Sequence, residues 1–145
     1  PVDRSRQALG AWGEARVARW YEARGYEVLD RNWRCARGEI DLVVGRPGEV
    51  AIVEVKTRTS ERFGVRALAV GYAKQARLRR LGAAWLVEHG GGLGRVRFDV
   101  ASVLAGEVSV SESAFGGRLT GLVVGAYLGA CPGFSCTCLT ICISK

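Results

Sequence analysis

A chain of 145 residues, 48% of them hydrophobic, suits one domain with a real core, and its formal charge of +7 and pI of about 9.6 favour a polyanionic partner. His89 is the one histidine, which argues against histidine-rich zinc sites and Ser-His-Asp catalysis. Cys35 is the one cysteine before residue 116 and no secretory signal is visible at the start, so a disulfide scaffold is not expected and a cytoplasmic setting is.

Arginine supplies nearly all of the basic excess, and residues 116–145 contribute only Arg118 and Lys145. The excess therefore belongs to residues 1–115. Arginine suits bidentate phosphate contacts, although a general arginine bias would give the same count.

Residues 5–24 are predicted as a helix, with Ser5 as N-cap and Gly25 just past its end. Glu14 shares a face with Gly10, Ala11, Val17, Ala18 and Tyr21. Taken alone, Glu14 is better read as a solvated charge at the edge of an apolar stripe, or as a partner for an arginine. Residues 26–33 read as a first strand, and Arg31-Asn32-Trp33-Arg34 is expected to turn the chain. Arg31, Arg34 and Arg37 either grip phosphate or form a solvated loop that answers Glu39 and Glu49.

Residues 38–58 read as two strands joined by Gly45-Arg46-Pro47-Gly48. With a four-residue loop, Val44 faces Glu49, Asp41 faces Ile52 and Glu39 faces Glu54. One face then carries Ile40, Leu42, Val44, Ala51, Val53 and Val55. The other carries Glu39, Asp41, Val43, Val50, Ile52, Glu54 and Lys56, with Asp41 and Glu54 as diagonal neighbours about 7–8 Å apart at the backbone. Two carboxylates and an ammonium on a half-buried face are costly unless something pairs them. One account is a cross-strand ion pair of Lys56 with Glu54 or Glu39. The other is a magnesium site, with Asp41, Glu54 and the Val55 carbonyl as oxygen ligands and Lys56 beside a water.

Residues 57–64 read as a polar loop in which Arg58 and Arg62 would meet a nucleic-acid backbone. A second helix falls within residues 68–89, with Leu78, Leu81 and Trp85 on its buried face, Gly71 and Gly82 allowing close packing, and His89 as a C-terminal cap. Val96, Phe98 and Val100 alternate with Arg95, Arg97 and Asp99, which predicts a strand with one buried face. Residues 107–115 would add an edge strand. From Gly116 the character changes: residues 119–143 carry no charge, yet their glycines and Pro132 make a poor membrane span, and Cys131, Cys136, Cys138 and Cys142 lack zinc-ribbon spacing. Residues 116–145 are expected to be an extension outside the fold.

Asp41 followed by Glu54-Val55-Lys56 resembles the PD-(D/E)xK nuclease signature, with Ile40 in place of the proline. Gly38-Glu39-Ile40-Asp41-Leu42 together with Val53-Glu54-Val55-Lys56-Thr57-Arg58 resembles the YraN family of uncharacterised bacterial proteins, over residues 7–115. That family is similar in fold to archaeal Holliday junction resolvases and restriction endonucleases. The resemblance implies a restriction endonuclease-like α/β fold in residues 1–115, a mixed central sheet flanked by helices in the order αβββαβ. It implies Asp41, Glu54 and Lys56 as catalytic residues, Asp41 and Glu54 as ligands of Mg2+ (or Mn2+), and Glu14 as a third acidic member. Lys74 or Gln75 would assist the site. Arg37, Arg58, Arg62, Lys74 and Arg77 would bind nucleic acid. The function it implies is a magnesium-dependent endonuclease acting on DNA, branched DNA included, with a catalytically silent nucleic-acid-binding module as the alternative. No membrane partner is expected, and a homodimer is allowed.

Overall fold

The computed structural model describes residues 4–59, 70–89 and 94–115. Helix α1 spans Arg4–Glu22, and the chain leaves it through Gly25, whose φ of +80° is one a side chain would resist. Strands β1 (Glu27–Cys35), β2 (Gly38–Arg46) and β3 (Glu49–Arg58) follow, then α2 (Tyr72–Glu88), β4 (Arg95–Leu104) and β5 (Glu107–Ser111). The expected order of elements is observed. The sheet is mixed, in the order β1-β2-β3-β4-β5, with β3 and β4 parallel and the other neighbours antiparallel. Parallel pairing requires a crossover, and α2 lies in the connection between these two strands.

Each helix covers one face. Val17, Ala18 and Tyr21 of α1 pack with Leu42, Val44, Ala51, Val53, Ala101 and Val103. On the opposite face Leu78, Leu81 and Trp85 of α2 pack with Trp33, Val43, Ile52, Phe98 and Val100. Gly82 lets α2 approach, since a Cβ there would stand 3.1 Å from Phe98 and 3.3 Å from Ile52. Gly71 does not pack in this way; it is the N-cap of α2, with open space around it. His89 stands at the C-cap as expected, its ring stacked on Trp85 and its Nδ1 2.9 Å from the Trp85 carbonyl.

Several boundaries and registers differ from expectation. Residues Arg31 to Arg34 continue β1 rather than turning the chain, because Trp33 is buried against α2; the turn is Ala36-Arg37. The β2–β3 loop is Pro47-Gly48 alone, with Arg46 opposite Glu49 and Val43 opposite Ile52. Pro47 and Gly48 meet the demands of a two-residue turn, a fixed negative φ and then the positive φ of +79° found at Gly48. The pairing thus moves by two residues, which preserves which side chains share a face. Ile40 is the exception: it joins the α2-side core while Leu42 and Val44 join the α1 side, so the alternation breaks across Asp41. Thr57 and Arg58 belong to β3, held by pairing with Val103 and Leu104, rather than to a loop. The edge strand β5 ends at Ser111, and Phe115 folds back to stack on Phe98.

Strand β4 is buried on both faces, because Arg97 and Asp99 enter a closed polar cluster. The Tyr21 hydroxyl donates to Asp99 Oδ2 at 2.6 Å, Arg97 Nε donates to the same oxygen at 3.1 Å, and the Ser113 N–H donates to Oδ1 at 2.9 Å. Arg97 Nη1 also reaches Glu49 and Glu112, both at 3.2 Å. Glu49 accepts from the Tyr26 hydroxyl at 2.8 Å and from Arg46 Nε at 3.0 Å. Burial opposes ionisation of Glu49, yet Tyr26, Arg97 and Arg46 outweigh it and hold the carboxyl below its ordinary range.

Arg62, Gly90 to Gly92 and residues 116–145 lie outside the described residues. Among the described residues no helix is long and apolar enough to cross a membrane.

Candidate functional site

The β2–β3 ladder ends at Leu42–Val53, one residue before Asp41 would face Glu54. Instead of pairing through the backbone there, β3 offers its Val55 N–H to Asp41 Oδ2 at 2.8 Å. The carboxyl of Asp41 is therefore drawn in beside β3 at the point where the two strands part. Burial pushes its pKa up to about 6; the Val55 hydrogen bond opposes this, and the nearby charges of Glu54 and Glu14 reinforce it.

Glu54 is buried, and its Oε1 forms an ion pair with the ammonium of Lys74 from α2. Lys56, two residues along the same strand face, is half-buried. Desolvation lowers its pKa, and Lys74 and Arg58 lower it further against the attraction of Glu54. Asp41 and Lys56 thus each feel the charge of Glu54.

Glu14 comes from the other side of the sheet. Its helix is seated by Gly13, which lies against Thr57: a Cβ at Gly13 would sit 3.0 Å from Thr57 Cβ and would overlap Thr57 Oγ1. Only glycine permits that approach. Glu14 Oε2 accepts from Asn32 Nδ2 at 2.9 Å. Asn32 holds a φ of +51°, which asparagine tolerates better than most residues. Sequence reasoning missed Asn32 and the Lys74–Glu54 pair. An asparagine within a strand pattern was the one available signal for the first; the second depends on how α2 docks.

The remaining candidates divide. Gln75 donates to the Val70 carbonyl at 2.7 Å. Arg77 lies on α2 beside Gly38, and Arg37 is exposed in the neighbouring β1–β2 turn. Arg58 lies elsewhere, on the wall of an open cleft of about 640 Å³ between the first turns of α1 and the end of β3. Glu14, Val55 and Thr57 line the same cleft, which links it to the acidic residues, and Arg6 faces it from α1.

Two carboxylates, Asp41 and Glu54, are hard oxygen donors of the kind magnesium and manganese accept. The Lys74 ammonium shows that positive charge is already favoured beside Glu54. These two residues fit a divalent cation. The third does not join them: among the described residues no three His, Cys, Asp or Glu side chains stand close enough to hold one ion.

The model of the uncharacterised protein family UPF0102 matches residues 13–103, a stretch that holds Glu14, Asp41, Glu54, Lys56 and Lys74. A UPF0102 protein of Beutenbergia cavernae is 54% identical over 102 residues, 70% of this chain and 86% of that relative. One from Frankia casuarinae is 51% identical over 100 residues, 69% and 85% of the two chains. Another from Nocardia farcinica is 48% identical over 99 residues, covering 68% and 78%.

Proposed function

The chain belongs to the UPF0102 family, and from that premise and its acidic site we propose that it is a metal-dependent nuclease that hydrolyses phosphodiester bonds in DNA, with branched DNA the first form to test. The observation that carries this reading is the pair Asp41 and Glu54, drawn together where β2 and β3 separate, with Lys56 and Lys74 beside them.

Asp41 and Glu54 would hold magnesium or manganese. Bound there, such an ion supplies Lewis-acid charge to a phosphoryl oxygen. Asp41 suits this role because burial, and then the charges of Glu54 and Glu14, make ionising it costly, a cost that nearby positive charge relieves. Val55 holds one Asp41 oxygen and so fixes the carboxylate's orientation. Lys56 would position the attacking water through an N–H donor and balance charge that develops on the phosphate. Lys74 restrains Glu54 from the α2 side. The surplus of arginine would attract the polyanion.

The experiment is incubation of linear, single-stranded and branched DNA with the protein and magnesium or manganese. Asp41→Ala and Lys56→Ala should each lower the rate by on the order of 100-fold or more. Hydrolysis that survives unchanged in both variants would reject the site. A second reading, a nucleic-acid-binding module without turnover, is favoured by Glu54 being already neutralised by Lys74. It predicts salt-sensitive binding with no cleavage under any metal.

A further inference from the structure

The cleft between α1 and the end of β3 has a lining unlike that of a small-molecule pocket. Such pockets are mostly apolar and aromatic. Here Arg6 and Arg58 supply two guanidiniums, and Ser5 and Thr59 supply two hydroxyls. Among the described residues no aromatic ring lines the cleft, so none of them offers a stacking platform for a base. Thr57 Oγ1 is buried and makes no hydrogen bond among the described residues. Glu14 and Val55 also line it, which joins the cleft to the acidic residues. Guanidiniums and hydroxyls without rings are the chemistry that contacts sugar and phosphate and ignores sequence.

We propose that this cleft seats one sugar–phosphate backbone next to the bond presented to Asp41 and Glu54, with Arg6 and Arg58 as its phosphate contacts. The inference rests on the nuclease reading for the identity of the polymer, and it adds where the strand lies and which residue outside the family match holds it. Arg6 precedes the matched stretch and would not be found by family resemblance. Binding at the cleft is sequence-independent and strongly salt-dependent.

The test is fluorescence anisotropy with labelled single-stranded and duplex oligonucleotides of several sequences, in EDTA so that no cleavage occurs. Arg6→Gln and Arg58→Gln should each weaken binding roughly threefold or more at moderate salt and reduce the slope of log affinity against log salt by about one, alike for all sequences. Arg6→Lys should recover most of the loss, since a point charge still meets phosphate. Arg80→Gln, an exposed arginine on α2 away from the cleft, controls for net charge and should change little. The strand form that loses more affinity identifies the source of the backbone. Wild-type binding that persists in the Arg6→Gln/Arg58→Gln double variant would overturn the cleft and leave the nuclease reading intact. No binding by the wild-type protein to either form would overturn both. Binding kept by Asp41→Ala but weakened in Arg6→Gln and Arg58→Gln would support the cleft.

Discussion

Strand β3 carries a charged cluster at each end, and the two are built differently. At its start, Glu49 sits among Arg97, Arg46, Asp99 and the hydroxyls of Tyr21 and Tyr26, where each carboxylate oxygen has a donor. Towards its end, Glu54 has Lys74, but Asp41 makes no ion pair among the described residues and has one backbone N–H. The first cluster gives every oxygen of Glu49 and Asp99 a donor from within the chain, although Arg97 Nη2 is buried without a hydrogen-bond partner among the described residues, and it ties α1, β3, β4 and the segment after β5 together. In the second, burial and the charges of Glu54 and Glu14 oppose ionisation of Asp41, against the Val55 N–H and Lys74. Buried charges of one chain can thus serve the fold where they are matched and serve a site where they are not.

Removing charge should therefore have opposite effects at the two ends. The largest effect belongs to Arg97→Met, which strands Asp99 and Glu49 in the interior and should cost about 3–5 kcal/mol in urea unfolding at pH 7. If that variant is as stable as the wild type, the first cluster is not the structural member of the pair. Gly13→Ala should come next, at about 1–3 kcal/mol from overpacking against Thr57. It also sharpens the contrast: moving Glu14 away should bring the Asp41 pKa down, as an NMR titration of the carboxyl would record.

Asp41→Asn should give the smallest change and the opposite sign. The folded-state pKa of Asp41, about 6, lies above its ordinary value of 3.8, so the neutral form favours folding. That stability is full below about pH 4 and is lost as pH rises through about 6. At pH 7 the variant should be more stable by about 1–2 kcal/mol, with the gain vanishing in acid. A loss of stability at pH 7 would mean that the carboxylate at this site is matched after all.

Much of this arrangement was legible in the sequence because it depends on local periodicity. The ends of α1 and the two hairpin strands followed from pattern and turn chemistry. The hairpin register was wrong by two residues, but an even slip leaves the faces unchanged. Ile40 was misplaced because the break in alternation at Asp41 comes from strands parting, which no two-residue period encodes. Arg97 and Asp99 looked like a solvent face for the same reason: their partners Tyr21, Tyr26 and Glu49 lie in other elements. Alternating charge reads alike whether water or another strand receives it.

The parallel pairing of β3 with β4 also sets an order on folding. The hairpin can form locally, but its third edge waits for Arg95–Leu104, which the ribosome delivers much later. Until Arg97 arrives, Glu49 has only Arg46 and Tyr26, and the hydrophobic flank of β3 stays open to wrong partners. A nascent chain halted anywhere before Leu104 would carry the acidic residues of the site on a sheet that cannot yet close.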